Sequence, residues 1–212
     1  RQIAESLLSI GAVTLSPKKP FVWTSGLKSP IYCDNRLTLS YPQIRRLIRD
    51  GFVSLIREHY PEAQVIAGTA TAGIPHAAWV AEKLELPMIY VRDKAKGHGK
   101  QNRIEGVLKP GQKAIVIEDL ISTGGSSLKA AEAIQQSGGE VLAVLAIFTY
   151  QMDQAAAAFQ EKKIPLHTLS DYSVLLETAV AQGYIKEGEL QLLRLWRQNP
   201  HEFAKKVESG TV

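Results

Sequence analysis

At 212 residues, 45% of them hydrophobic and 22% charged, the chain is sized and composed for one ordinary globular domain, or one with a small appendage. Such a chain buries a sizeable core without a covalent staple or a metal. A single cysteine, Cys33, excludes an intramolecular disulfide framework and fits a reducing compartment. No apolar run approaches the roughly 20 residues of a membrane span, and no basic–apolar–small signal pattern opens the chain. The expectation is a soluble cytoplasmic protein with no membrane partner. A net charge of +4 points to an anionic partner, a polyphosphate metabolite or nucleic acid, without choosing between them.

Neither an internal repeat nor a low-complexity linker interrupts the chain. Ile3, Leu7, Leu8 and Ile10 recur at helical spacing near its start. Residues 20–37, rich in Pro, Gly, Ser and aromatics, predict a loop-and-strand hood. Ser40 is placed to cap a helix with Pro42 in its first turn and Ile44, Leu47, Ile48, Leu55 and Ile56 along one stripe. A strand–loop–helix rhythm then sets in. Val65-Ile66-Ala67 reads as a short strand, followed by a Gly- and Thr-containing loop and a helix to about Leu84. Pro87 to Val91 reads as another strand, and Arg92 to Arg103 as a polar segment without apolar period. Ala114-Ile115-Val116-Ile117 is continuously apolar, as in a strand buried on both faces of a parallel sheet.

A helix is predicted from about Ser127 to Gln136, ended by Gly138-Gly139. Val141 to Phe148 is the next strand, and a helix carries the alanines at 155–158. Pro165 to Leu169 is a last strand, and residues 171–206 read as mainly helix. The alternation predicts an open α/β sheet with right-handed crossovers. Ligands of such sheets bind beyond the carboxyl ends of the strands, near a switch in strand order.

One segment fits that position. The apolar run 114–117 leads into Glu118-Asp119, then Ser122-Thr123-Gly124-Gly125-Ser126-Ser127 at the start of a helix. Glycines let backbone amides approach a ligand closely, and a helix N-terminus adds free N–H donors and a partial positive charge. Hydroxyls of Ser122, Thr123, Ser126 and Ser127 add donors, so the segment reads as a phosphate cradle. Two carboxylates beside it would repel a polyphosphate; ribose hydroxyls, or a magnesium ion bound through them, are their natural partners. No Gly-Lys-Ser/Thr follows and no G-x-G-x-x-G is present, so neither the Walker loop nor the dinucleotide fingerprint applies. The other basic feature, Arg92-Asp93-Lys94-Ala95-Lys96-Gly97-His98-Gly99-Lys100-Gln101-Asn102-Arg103, reads as a mobile loop. It has no interleaved aromatic for base stacking.

Four apolar residues, two acids, two more apolar residues and Ser-Thr-Gly-Gly resemble the 5-phosphoribosyl 1-diphosphate (PRPP) motif of type I phosphoribosyltransferases. The 92–99 segment is similar to the Arg-x-x-x-Lys-x-His-Gly catalytic loop of the orotate phosphoribosyltransferases. Phe21 to Tyr32 resembles that family's pyrimidine-covering hood, and Gly68-Thr69-Ala70-Thr71-Ala72-Gly73-Ile74-Pro75 its diphosphate loop. The resemblance covers about residues 1–200. It implies an open parallel-sheet type I phosphoribosyltransferase fold with a small N-terminal hood, as one domain over 1–212: hood about 1–37, core about 40–170, C-terminal helices about 171–206. It further implies PRPP binding by Arg92, Lys96, His98, Glu118, Asp119, Leu120, Ile121, Ser122, Thr123, Gly124, Gly125 and Ser126, with Ser122 also contacting orotate. Lys96 and Asp119 are the implied catalytic residues. Mg²⁺ is the implied cofactor, bound mainly through PRPP with no dedicated metal ligand in the protein. A homodimer sharing loop 92–103 across subunits is implied, with no nucleic-acid partner.

Two rivals share the donor motif: a purine-type phosphoribosyltransferase, and a regulator that senses PRPP while binding nucleic acid. The intact loop from Arg92 to Gly99 speaks against both. The chain also departs from the pattern. Ala72, Asp93 and Thr24 stand where many relatives have lysine, and Tyr150 near a usual arginine, so the orotate carboxylate has no assured cation. Lys94 and Lys28 are the nearest substitutes. His76, His59, His167 and His201 read as surface or packing histidines, Cys33 as structural, and Trp79 as core or interface. No His/Cys/Asp cluster has zinc-like spacing.

Overall fold

The computed structural model describes residues 1–23, 26–93 and 103–209. It opens with α1 (Gln2–Ser9), which buries Ile3, Ala4, Leu7 and Leu8 on one face. The hood follows as four short strands: β1 (Val13–Leu15), β2 (Phe21–Val22), β3 (Lys28–Ser29) and β4 (Ile31–Cys33). They form two antiparallel pairs, β1 with β4 and β2 with β3. A 3₁₀ turn, Asn35–Ser40, leads to α2 (Pro42–His59). Ser40 does not cap this helix. It closes the 3₁₀ turn, and Tyr41 occupies the cap position without a side-chain bond; Pro42 supplies the start by fixing φ where no backbone N–H is needed.

The core is β5 (Val65–Thr69), α3 (Gly73–Leu84), β6 (Met88–Val91), β7 (Ile104–Glu105), β8 (Lys113–Ile121), α4 (Gly125–Gln136), β9 (Glu140–Thr149), α5 (Asp153–Lys162) and β10 (Leu166–Asp171). After it come α6 (Tyr172–Ala181), a 3₁₀ turn at Glu187–Glu189, α7 (Leu190–Gln198) and α8 (Pro200–Glu208). The six-stranded sheet has the order β10-β9-β8-β5-β6-β7. Every neighbouring pair is parallel except β6–β7. The expected open parallel sheet is present, with a single antiparallel strand added at one edge. Two residues are too short a strand to read from periodicity.

The apolar run of β8 is central and buried on both faces. Ile115 and Ile117 join the core beneath α1, α2, α3, α6, α7 and α8, whereas Ala114 and Val116 pack toward α4 and α5. Alternate residues of one strand point to opposite faces, so a run without polar interruption is what a doubly covered strand requires. The strand also continues further than the apolar run. Glu118 and Asp119 lie inside β8, paired in register with β9, rather than in the loop after it. Among the described residues no helix is long and apolar enough to cross a membrane.

Candidate active site

The chain leaves β5 toward β6 on one side and later leaves β8 toward β9 on the other. The strand order therefore switches between β5 and β8, and the crevice beyond their carboxyl ends is the expected ligand position. Three segments meet there: residues 70–72 after β5, the acids near the end of β8, and residues 122–126 leading into the first turn of α4.

Two glycines set how closely the first segment approaches the second. A Cβ on Gly68 would lie 2.9 Å from the Ile74 Cα, and one on Gly73 would collide with the Ile117 carbonyl oxygen. With no side chain at either position, the first turn of α3 rests directly on the backbone of β5 and β8. The Ala70–Thr71 peptide in the intervening loop is cis.

Glu118 is 5% exposed, and the Asp119 amide donates to its Oε1 at 3.0 Å. Burial pushes the Glu118 carboxyl well above the usual carboxylate range, with the adjacent Asp119 carboxyl adding to the shift. Asp119 is raised as well, again mainly by burial. Two desolvated acids in contact do not both carry full charge cheaply. They ionise fully only when donors or a cation face them. The pair therefore suits a ribose diol or a metal-bearing polyphosphate better than open water. Two carboxyls supply only part of the octahedral set that Mg²⁺ needs, so the fit is to an ion held mainly by donor oxygens and water. Arg36, missed from the sequence, exerts a Coulombic pull on Asp119. Asn35, also missed, is 1% exposed and donates from Nδ2 to the Asp119 carbonyl at 2.8 Å. It ties the hood to the end of β8.

The cradle is built as its composition predicts, with one correction. Gly124 holds φ +81° at the α4 N-cap, where no side chain caps the helix and no acid occupies the first turn. The first-turn amides are thus left for a ligand. Thr123, Gly125 and Ser126 are exposed and Ser122 is half-buried, but Ser127 is buried and donates its hydroxyl to the Gly124 carbonyl at 3.1 Å. Ser127 shapes the loop and is not a ligand donor. Leu120 is half-buried and Ile121 buried. The Ile121 carbonyl accepts from the Tyr150 amide at 3.1 Å, which places β9's end beside Ser122.

Beside the cradle the hood closes a cavity of about 340 Å³ lined by Val22, Trp23, Tyr32, Cys33, Leu120, Ser122 and Tyr150. Trp23 and Tyr150 rings lie 5.3 Å apart and Phe21 and Tyr32 5.7 Å apart. The walls are aromatic, with Ser122 as the polar corner, which suits a flat heterocycle. Cys33 lines this cavity, but burial and two nearby carboxyls push its thiol far up, so it is no nucleophile. No lysine or arginine lines the cavity among the described residues. Lys28 does not line it, and its Nζ lies 2.6 Å from Glu208 Oε1.

Arg92 stands at the root of its loop. Its amide donates to the Arg103 carbonyl at 2.8 Å, Arg103 Nε returns a 3.0 Å bond to the Arg92 carbonyl, and its guanidinium is 3.5 Å from Glu105. Below it, Val91 pairs with Ile104 and Tyr90 with Glu105. Lys94, Lys96 and His98, and Thr24 in the hood, lie outside the described residues. His76 is packed rather than on the surface: 1% exposed, edge-on to Trp79 at 5.5 Å, its pKa lowered to about 4 by burial. His59 and His167 stack at 5.6 Å, near β10's amino end.

Comparison with known proteins agrees with this geometry. Residues 39–172 match the family model for the phosphoribosyl transferase domain. The chain is 61% identical over 201 residues to the orotate phosphoribosyltransferase of Bacillus caldolyticus, covering 95% of this chain and 97% of that one. It is 57% identical over 198 residues to the protein of the same name from Halalkalibacterium halodurans, covering 93% and 94%. Among solved structures, the orotate phosphoribosyltransferase of Aeropyrum pernix superposes with a TM-score of 0.74 at 28% identity, over 83% of this chain and 97% of that one. The UMP synthase of Leishmania donovani gives 0.78 at 28% identity, over 93% of this chain but only 42% of that longer protein.

Proposed function

The chain belongs to the phosphoribosyl transferase family, and within it to the orotate phosphoribosyltransferases; on that premise we propose how its residues divide the work of transferring 5-phosphoribosyl from PRPP to N1 of orotate. The products are orotidine 5′-monophosphate and diphosphate. The observation that carries the assignment of roles is the meeting, at one switch point, of an uncapped helix N-terminus, a buried acid pair and an aromatic cavity.

The amides of residues 124–126 and the hydroxyls of Ser122, Thr123 and Ser126 hold the ribose 5-phosphate. Glu118 and Asp119 take the ribose hydroxyls. Their negative charge, developed on binding, stabilises the oxocarbenium-like ribose of the transition state. Orotate lies in the cavity under Trp23 and Tyr150, with Ser122 as its polar contact. Orotate N1 forms a bond to C1 of the ribose while the C1–O bond to diphosphate breaks; that bonding pair leaves with diphosphate, and the N1 proton passes to the departing diphosphate or to water. No side-chain nucleophile is required. Mg²⁺, held by PRPP oxygens facing the acid pair, would supply Lewis-acid stabilisation of the leaving diphosphate.

Arg92, Lys96 and His98 deliver cations to that leaving group, Lys96 being the catalytic one. Arg92 is anchored at the end of β6 by its pairing with Arg103 and by the β6–β7 ladder beneath it. In the proposed homodimer, loop 92–103 serves the neighbouring subunit. A reducing, cytoplasmic setting is supported by the lone Cys33. The test is orotate-dependent PRPP consumption, with adenine and hypoxanthine as controls. Lys96→Ala is expected to lower kcat by about a hundredfold or more; unchanged turnover with only a raised PRPP requirement would remove Lys96 from the chemistry. Mixing Lys96→Ala with Asp119→Asn protein should restore activity that neither has alone, and no recovery would refute the shared loop.

A further inference from the structure

The β2–β3 hairpin that roofs the cavity has little to hold it in place. It has two residue pairs, Phe21 with Ser29 and Val22 with Lys28, and Val22 is 69% exposed. Isolated two-stranded hairpins are marginal even when longer. Its fastening comes from the far end of the chain. Trp196 of α7 is fully buried. Its indole N–H donates to the Lys28 carbonyl at 3.1 Å. Its ring stands edge-on to Trp23 at 5.7 Å and to Tyr150 at 5.8 Å, the two aromatics lining the cavity. Tyr172 supports it from behind at 5.5 Å. A second tie, Lys28 to Glu208 of α8, crosses the same strand on the surface.

We propose that Trp196 is a positioning residue for the nucleobase site: through Lys28 and Trp23 the C-terminal helices clamp the hood in the closed geometry that fits a pyrimidine. The segment lies outside the 39–172 stretch shared with phosphoribosyl transferases at large. The inference rests on the assignment of this cavity to orotate. It predicts that acceptor binding and donor binding respond differently to one buried indole. Trp196 touches both aromatic walls of the acceptor cavity, Trp23 and Tyr150, while the donor cradle is built on a different element, α4.

The indole hydrogen bond is the part removable without emptying the core. Trp196→Phe keeps a ring against Trp23 and Tyr150 and deletes only the donor and part of the volume. It is expected to raise the KM for orotate about five- to tenfold, with the KM for PRPP and kcat within about twofold. Trp196→Leu should raise orotate KM further, and Glu208→Gln little, as the surface pair is weak. Amide exchange at Trp23 and Ser29 should quicken in Trp196→Phe while the central sheet stays protected. Equal rises in both KM values, or a fall in kcat that tracks the loss of thermal stability, would reduce Trp196 to a core residue and overturn the proposal. So would an unchanged orotate KM. If the unmodified protein consumed no PRPP with orotate, the functional reading would fail, yet hairpin exchange in Trp196→Phe would still decide whether the clamp exists.

Discussion

Gly125 gives the sharpest test of the cradle, because nothing in the folded chain requires glycine there. It is the first residue of α4, its φ is not positive, and a Cβ would meet only the Thr123 Oγ1 at 3.8 Å. Alanine should therefore fit, and by narrowing the unfolded ensemble it should stabilise the protein by about 0.4–1 kcal/mol. For a chain of this size that is about 1–4 °C in Tm. A phosphate docking on the first-turn amides would, however, meet the new methyl. Loss of one charge-assisted hydrogen bond costs about 1.5–3 kcal/mol, or roughly ten- to a hundredfold in PRPP affinity. The neighbouring glycine supplies the contrast. Gly124 has φ +81°, and its Cβ would lie 2.7 Å from Phe159 Cε2. Gly124→Ala combines backbone strain with overpacking, about 2–4 kcal/mol, and should lower Tm by about 5–15 °C. The assay is a thermal melt beside steady-state kinetics at varied PRPP. If Gly125→Ala leaves the PRPP KM unchanged, or lowers Tm as much as Gly124→Ala, the amides of α4 are not the phosphate site.

Gly73→Ala should act differently from either, because its Cβ would strike the Ile117 carbonyl of the central strand. The helix must yield by roughly 1 Å, costing about 1–3 kcal/mol in stability and on the order of a hundredfold in kcat/KM as the diphosphate loop leaves the acids; a Tm loss with full activity would contradict this. His76 predicts a pH effect on stability. Its folded pKa is lowered to about 4 by burial, so between there and its ordinary value near 6.5 the unfolded chain binds the extra proton. Stability is then fully present above about pH 6.5 and falls by about 3 kcal/mol as the pH drops through about 4. Denaturant titrations of His76→Leu should lack that share of the decline, and parallel curves for the two proteins would refute it.

Much of the site was legible because it obeys local rules. The acid pair, the serine–threonine–glycine loop and the helix after it occupy contiguous positions, so the strand, turn and helix N-terminus that arrange them are set by residues 114–136 alone. The buried strands of the sheet were equally readable from their continuous apolar runs, which double coverage favours. Local rules failed where a competing partner, near or far in the chain, decided the outcome. Ser40 has the chemistry of a helix cap, but the 3₁₀ turn before it, bound to Asp119 through Asn35, claims it first. Ser127 has the chemistry of a phosphate donor, but it turns inward to Gly124. Lys28 pairs on the surface with Glu208 of the last helix, a partner that no local pattern announces.

The sequence by itself therefore determined the segment proposed to hold the sugar phosphate, where neighbouring residues would act on one ligand through backbone geometry. Only the tertiary structure decided the proposed acceptor cavity. Its walls come from the hood, the ends of β8 and β9, and, behind them, a tryptophan 168 residues beyond Lys28. Contacts at that separation leave no period or spacing to read, because packing selects them by shape and by the need of each buried donor for an acceptor.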